Sequence, residues 1–316
     1  MAAESTLAVV AALLGNAALV ILKGIATAVT GSAAMLAETC HSIADTGNQL
    51  LLMLGMRLSR RPPDSLHPFG HGRDVYFWAF VVAMMLFSVG GAFSLWEAID
   101  KLRHPAEHRS FVVAYAVLGG AFVFEGISLS VALHALRKVT SGSIWSYFRQ
   151  TRDPTLATVV LEDTAAMTSI LVAATGLALS EATGVPTWDA AASGVIGLVL
   201  IGVAVFLAFE NYSLLIGESA PPEIEARLRE VIEADPAVAK LVGLHTVHLG
   251  PDSIVVVAET AFRDLPSDAV ADAVRRLEAR ITEVLEGRTS PRLIIVEPRR
   301  REVGDAVEAT SGGRAR

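Results

Sequence analysis

Residues 190–209 read Ala-Ala-Ala-Ser-Gly-Val-Ile-Gly-Leu-Val-Leu-Ile-Gly-Val-Ala-Val-Phe-Leu-Ala-Phe, twenty positions without a charged side chain. A helix of about 20 apolar residues is what the hydrocarbon core of a bilayer demands. Working outward from this block, which runs over about 187–209, five more of the same kind appear at about 6–29, 33–56, 75–99, 110–136 and 155–180. Hydrophobic residues make up 52% of the 316 positions and charged residues 19%, gathered between the apolar blocks. The expectation is a polytopic α-helical membrane protein with six transmembrane helices within residues 1–212.

Charge narrows the function. A net charge of −7 speaks against a nucleic-acid partner, which would need a basic face. Cys40 is the single cysteine, so neither an intrachain disulfide nor a thiolate metal cluster can form. Met1 to Ser5 has no basic residue ahead of the first apolar stretch, and that stretch is expected to be retained as a span. The connectors after spans two and four carry Arg57, Arg60, Arg61, Arg73, Arg137, Lys138, Arg149 and Arg152, against Lys101, Arg103 and Arg109 in the alternate ones. Basic residues favour the cytoplasmic side, so both termini are expected there, with the cell membrane of a prokaryote as the expected location.

After Glu210 the character changes. Pro221-Pro222 opens a helix to about Ala234. Leu244–Leu249 and Ile254–Thr260 flank the turn signal Gly250-Pro251-Asp252. Ser267 is expected to cap a helix with the stripe Val270, Val274, Leu277, Ile281 and Val284, ending at Gly287. A third strand covers Arg292–Val296. The order α-β-β-α-β predicts a cytoplasmic ferredoxin-like α+β domain over residues 213–298, and 299–316 reads as a disordered tail.

Ionisable groups inside spans are costly and mark function. His41 and Asp45, four residues apart, share a helix face, and Glu38 extends the same stripe. An imidazole with a carboxylate suits Zn²⁺ and its first-row neighbours. Two ligands do not make a zinc site, and span five offers Asp163 or its neighbour Glu162. Because adjacent residues diverge by about 100° on a helix, one of the two is expected to face the ion. The alternative is a polar cluster that only pins two helices. Asp64, His67 and His71, bent together by Pro68 and Gly70, form a second cluster, which on its residues alone reads as a solvated turn. No HExxH pattern or nucleophile–base pair points to an enzyme.

The segment Ala37-Glu38-Thr39-Cys40-His41-Ser42-Ile43-Ala44-Asp45, followed by His67-Pro68-Phe69-Gly70-His71-Gly72-Arg73, resembles the signature of the cation diffusion facilitators. Within that family, Asp74-Val75-Tyr76-Phe77-Trp78-Ala79-Phe80 and Leu161-Glu162-Asp163-Thr164-Ala165-Ala166 are similar to the branch that contains the mitochondrial zinc exporter of animals. The resemblance implies a homodimeric antiporter that exports Zn²⁺ from the cytoplasm against protons, with no bound cofactor. It carries the transport ligands onto His41, Asp45 and Asp163. The family's remaining ligand position falls on apolar Val159, so Glu162, Glu38 or a water completes the set, Glu162 being the choice. An oxygen-rich set would open selectivity to Mn²⁺, Co²⁺ or Fe²⁺. Asp64, His67 and His71 match a loop metal site of some members. In the tail domain, family histidine positions hold Ala258 and Ile295, while His245 and His248 point to opposite faces of one strand. That domain is therefore expected to dimerise by packing, without a bound zinc pair. A membrane metal sensor without flux is the competing reading.

Overall fold

The computed structural model describes residues 2–31, 33–104, 111–139, 154–286 and 290–299. Six long helices come first: α1 (Ala2–Thr30), α2 (Ala33–Ser59), α3 (Asp74–Arg103), α4 (Phe111–Val139), α5 (Pro154–Thr183) and α6 (Thr187–Ile216). Each of the six apolar blocks became one helix. The helices overrun the blocks because backbone hydrogen bonding continues past the apolar stretch. Among the described residues, four helices, α3 to α6, are long and apolar enough to cross a membrane by length and composition. In α2, Glu38, His41, Asp45, Asn48 and Gln49 lower the hydropathy along one face. The first span's register is described for side chains from Asn16 onward, apart from Leu13.

The helices pack through small residues. Ala26, Ala37, Ala83, Ala121, Ala165 and Ala173 lie in one buried cluster with Leu19, Leu86, Leu118 and Leu200. In a bilayer, close backbone approach replaces the hydrophobic driving force between helices, and small side chains permit it. Ile21, Ile25, Ile127, Leu198 and Phe209 are outward and exposed, as lipid-facing positions must be. Within α3, Leu86–Ala92 forms a π-helical segment. There Gly91 meets α6 so closely that a Cβ on Gly197 would lie 2.9 Å from the Gly91 carbonyl oxygen and 3.0 Å from the Leu95 nitrogen. Backbone atoms cannot step aside as side chains do. Gly197→Ala is therefore expected to destabilise the helix bundle by roughly 1–3 kcal/mol, as overpacking does, read as a lower melting temperature in detergent. Gly202→Ala on the same helix meets nothing within 4 Å and is expected to leave melting unchanged or slightly raised.

The second region is α7 (Pro222–Glu233), β1 (Val238–Gly250), β2 (Ser253–Phe262), α8 (Ser267–Leu285) and β3 (Ser290–Arg299), the expected α-β-β-α-β order. The sheet runs β1-β2-β3. β1 and β2 form an antiparallel hairpin, while β2 and β3 are parallel and joined through α8. Ile224, Leu228 and Ile232 of α7 and Leu277, Ile281 and Leu285 of α8 bury against Ile254, Val256 and Ala258 of β2. The expected helix stripe shifts slightly: Ala273 and Leu285 are buried, whereas Val274 and Val284 only flank the core. Ser267 is the first helical residue rather than the cap, a place taken by Pro266 without a side-chain bond. Gly287 lies outside the described residues. The strands run several residues beyond the expected ones, because pairing continues through polar positions that hydrophobic alternation does not mark.

The chain divides into two compact units, Met1–Arg61 with Arg73–Leu215, and Pro62–Gly72 with Ile216–Arg316. The connector after α2 therefore belongs with the sheet domain. A Cβ on Gly250 at the hairpin turn would lie 3.0 Å from both the Cα and the carbonyl oxygen of Gly72, so two glycines permit this backbone-to-backbone seat. The expected disordered tail beyond Arg299 lies outside the described residues.

Candidate metal centre

His41 and Asp45 stand one turn apart on α2, with Nδ1 3.5 Å from Oδ1. His41 is fully buried and Asp45 is 5% exposed. Among the described residues neither imidazole nitrogen has a hydrogen-bond partner, nor does Asp45 Oδ1. Buried polar atoms without partners are rare because each costs the desolvation it was never repaid. Donor atoms of this kind side by side inside a helix bundle are suited to a cation.

α5 supplies its carboxylates from two directions. Glu162 Oε1 accepts a hydrogen bond from Asn48 Nδ2 of α2 at 2.7 Å, while Asp163 Oδ2 accepts one from Ser128 Oγ of α4 at 2.9 Å. The divergence of adjacent residues thus sends Glu162 toward α2 and Asp163 toward α4. Both are buried. Val159, one turn before Asp163, packs against Leu52, Ala79 and Val82, which fits an apolar role. His41, Asp45, Asp163 and Glu162 do not bring three donor atoms within 4.8 Å of one another; α2 and α5 face each other, but the α5 carboxylates are engaged by Asn48 and Ser128.

Glu38 is engaged by another helix. Its Oε2 accepts from Lys23 Nζ of α1 at 3.0 Å, and the same ammonium donates to Ser42 Oγ at 2.8 Å. Lys23 and Glu38 are both fully buried. Lys23, Asn48 and Ser128 are not among the residues expected from the sequence to serve the site. Asn48 carried a usable signal, standing three residues after Asp45 and hence on the same face; the partner of Lys23 depends on how α1 is rotated, which α1's own sequence does not declare.

Among the described residues, Asp64, His67 and His71 are the one group of three whose donor atoms all lie within 4.8 Å. Asp64 Oδ1 is 3.2 Å from His67 Nδ1, and Oδ2 is 3.0 Å from His71 Nε2. The backbone N–H groups of Leu66 and His67 also donate to Asp64 Oδ1, at 2.9 and 2.7 Å. Gly70 makes the turn with φ of 84°, a region open mainly to glycine. The His67 backbone N–H, followed by the His71 ring, holds the Asp64 carboxyl down to about 2. Asp64 therefore keeps its negative charge through physiological acidification. One carboxylate and two imidazoles form a donor set that fits Zn²⁺. In the sheet domain, His245 is exposed and His248 buried, the opposite faces that strand alternation requires. Ala258 pairs with Leu244 and Val296, and Ile295 with Val257.

Residues 9–216 match the family described as the cation efflux transmembrane domain. The chain is 37% identical over 243 residues to the mitochondrial proton-coupled zinc antiporter SLC30A9 of Xenopus laevis, covering 76% of this chain and 44% of that protein. It is 32% identical over 236 residues to metal tolerance protein C4 of Arabidopsis thaliana, covering 74% of this chain and 52% of that one. Magnetosome protein MamM of Magnetospirillum gryphiswaldense is 26% identical over 236 residues, covering 74% of this chain and 70% of its own. The chain spans about half the length of the animal and plant relatives.

Proposed function

Because the chain belongs to the cation efflux family, whose members are metal-cation transporters, we propose that it exchanges a divalent cation, Zn²⁺ first, for protons across its membrane. In this reading His41, Asp45 and Asp163 hold the ion in transit, with Glu162 as the fourth donor. The observation that carries it is the fully buried His41 ring beside Asp45, with donor atoms that nothing among the described residues satisfies. Charge supports it. Glu38, Asp45, Glu125, Glu162 and Asp163 are buried in the bundle with one lysine, Lys23. An excess of carboxyls over cations in a low-dielectric slab needs compensation, which protons or a divalent cation provide in turn.

The chemistry of exchange is competition for the same lone pairs. Metal binds the deprotonated imidazole and carboxylates; protons displace it when the site opens to the other side. Rocking of helix bundles about a site near the midplane supplies alternating access. Ser128 engages only Oδ2 of Asp163, so the carboxylate can keep that bond while its other oxygen joins His41 and Asp45 around the ion. The sheet domain is proposed to dimerise by packing, with both termini cytoplasmic and export as the direction. The mitochondrial address in the animal names belongs to those proteins, and the expectation of a prokaryotic cell membrane draws no support from them.

The test is flux in proteoliposomes with an imposed pH gradient, comparing Zn²⁺, Mn²⁺, Co²⁺ and Fe²⁺. Zinc uptake that rises with the gradient and collapses with a protonophore is expected; saturable zinc binding without flux would favour a sensor instead. The loop is proposed as a second, non-transporting zinc site. Replacing His67 and His71 together by alanine should remove one zinc equivalent from the purified protein, measured by calorimetry, while flux persists. Loss of all flux with binding unchanged would move the loop into the transport path.

A further inference from the structure

Two carboxylates and an imidazole suffice to balance a divalent cation, yet a further carboxylate, Glu38, stands one turn before His41 on the same helix. It is fully buried, and only one of its oxygens is occupied: Oε2 receives Lys23 Nζ at 3.0 Å, and Oε1 has no hydrogen-bond partner among the described residues. Lys23 itself has no exposed surface and spans from Glu38 to Ser42, the residue next to His41. Burying an ion pair is expensive and contributes little net stability compared with apolar packing of the same volume. A mere helix pin is also already present nearby, where Thr27 and Thr39 share a hydrogen bond of 2.8 Å between α1 and α2. The pair therefore asks for a role beyond fastening.

We propose that Lys23 is a specificity-determining residue: by holding Glu38 in a buried ion pair, it withholds a hard oxygen donor from the transported ion. With Lys23 in place the pair is neutral, and the cargo meets one nitrogen and the carboxylates of Asp45 and Asp163. Without it, Glu38 is a free carboxylate on the ligand-bearing helix. The donor set becomes richer in oxygen and more negative, which favours Mn²⁺ and other hard cations over Zn²⁺. Lys23 would then be a positioning residue that acts through Glu38, not a ligand.

The inference rests on the transport site proposed above, and the test separates the two. Flux of Zn²⁺ and of Mn²⁺ is measured in proteoliposomes for the wild type, Lys23→Met, Glu38→Gln and the double variant, with folding checked by gel filtration. Lys23→Met is expected to raise the Mn²⁺:Zn²⁺ flux ratio about tenfold, the scale on which partners of metal ligands alter affinity. The double variant, which has neither charge, is expected to return to the wild-type ratio with zinc flux retained. An unchanged ratio in a folded Lys23→Met overturns the inference while leaving the transport site standing. So does a folded double variant that loses zinc flux, since Glu38 would then be a ligand itself. Should Lys23→Met alone fail to assemble, the double variant decides: retained zinc flux at the wild-type ratio supports the inference. Absence of flux for any metal in the wild type defeats the transport reading instead.

Discussion

His41→Ala and Asp45→Ala are each expected to reduce metal flux in proteoliposomes to that of protein-free vesicles. Loss of a group that only orients a metal ligand costs about 10–100-fold in affinity or activity, so loss of a ligand should exceed 100-fold. His41 is the nitrogen donor of the proposed set, and the one that discriminates zinc from hard cations. Asp45 supplies the charge beside it. Among the described residues the His41 nitrogens and Asp45 Oδ1 have no hydrogen bonds whose loss would unfold the bundle, and the contact between the two side chains is 3.5 Å. Asp45→Asn, nearly the same size, is the sharper variant, because an amide keeps the packing and loses the anion. Gel filtration and helical circular dichroism should match the wild type. Both alanine variants transporting zinc at wild-type rates would falsify the assignment of this pair.

Much of this architecture could be read from residue order, for identifiable reasons. Apolar blocks of about 20 residues leave little choice but a helix in a bilayer, and blocks such as 190–209 decided α6 without tertiary information. α2 was legible despite Glu38, His41, Asp45, Asn48 and Gln49 because their spacing follows one helix face. The hairpin around Gly250-Pro251-Asp252 and the amphipathic α8 followed from turn chemistry and period. What stayed hidden depends on neighbours. The π-helical segment at Leu86–Ala92 arises where α3 meets α6 at Gly91 and Gly197, and no local propensity announces it. The partner of Glu38 stayed hidden, since helix periodicity gives a face but not the helix that lies across from it; α1 brings Lys23 there. The loop group illustrates the reverse case. Its residues alone suggested a solvated turn, while the resemblance to a family pointed to a metal site, and Gly70 closes Asp64, His67 and His71 to mutual contact.

Asp163→Asn is expected to abolish flux, and Glu162→Gln to lower it by only about tenfold, because the glutamine amide oxygen remains as a weaker fourth donor; the difference tests on which α5 carboxylate the ion depends. The present geometry does not favour Asp163 by proximity alone, since Glu162 is the one facing α2. The bond from Asn48 Nδ2 to Glu162 Oε1 is short, at 2.7 Å, and a glutamine at 162 can still accept it through its amide oxygen. That substitution therefore keeps the α2–α5 tie and removes only charge, a change on the order of 1–3 kcal/mol for a hydrogen bond to a charged group. Asp163 is held by a serine hydroxyl at 2.9 Å through one oxygen, which leaves the other for a cation. Asparagine at 163 keeps the size and the bond to Ser128 but cannot supply the anion. Ser128→Ala sharpens the comparison: it frees Asp163 and should tighten zinc binding or leave it unchanged, whereas it should have no effect if Glu162 is the ligand. If Glu162→Gln is dead while Asp163→Asn transports, the ligand is the carboxylate already facing α2, with Asn48 as the residue that orients it.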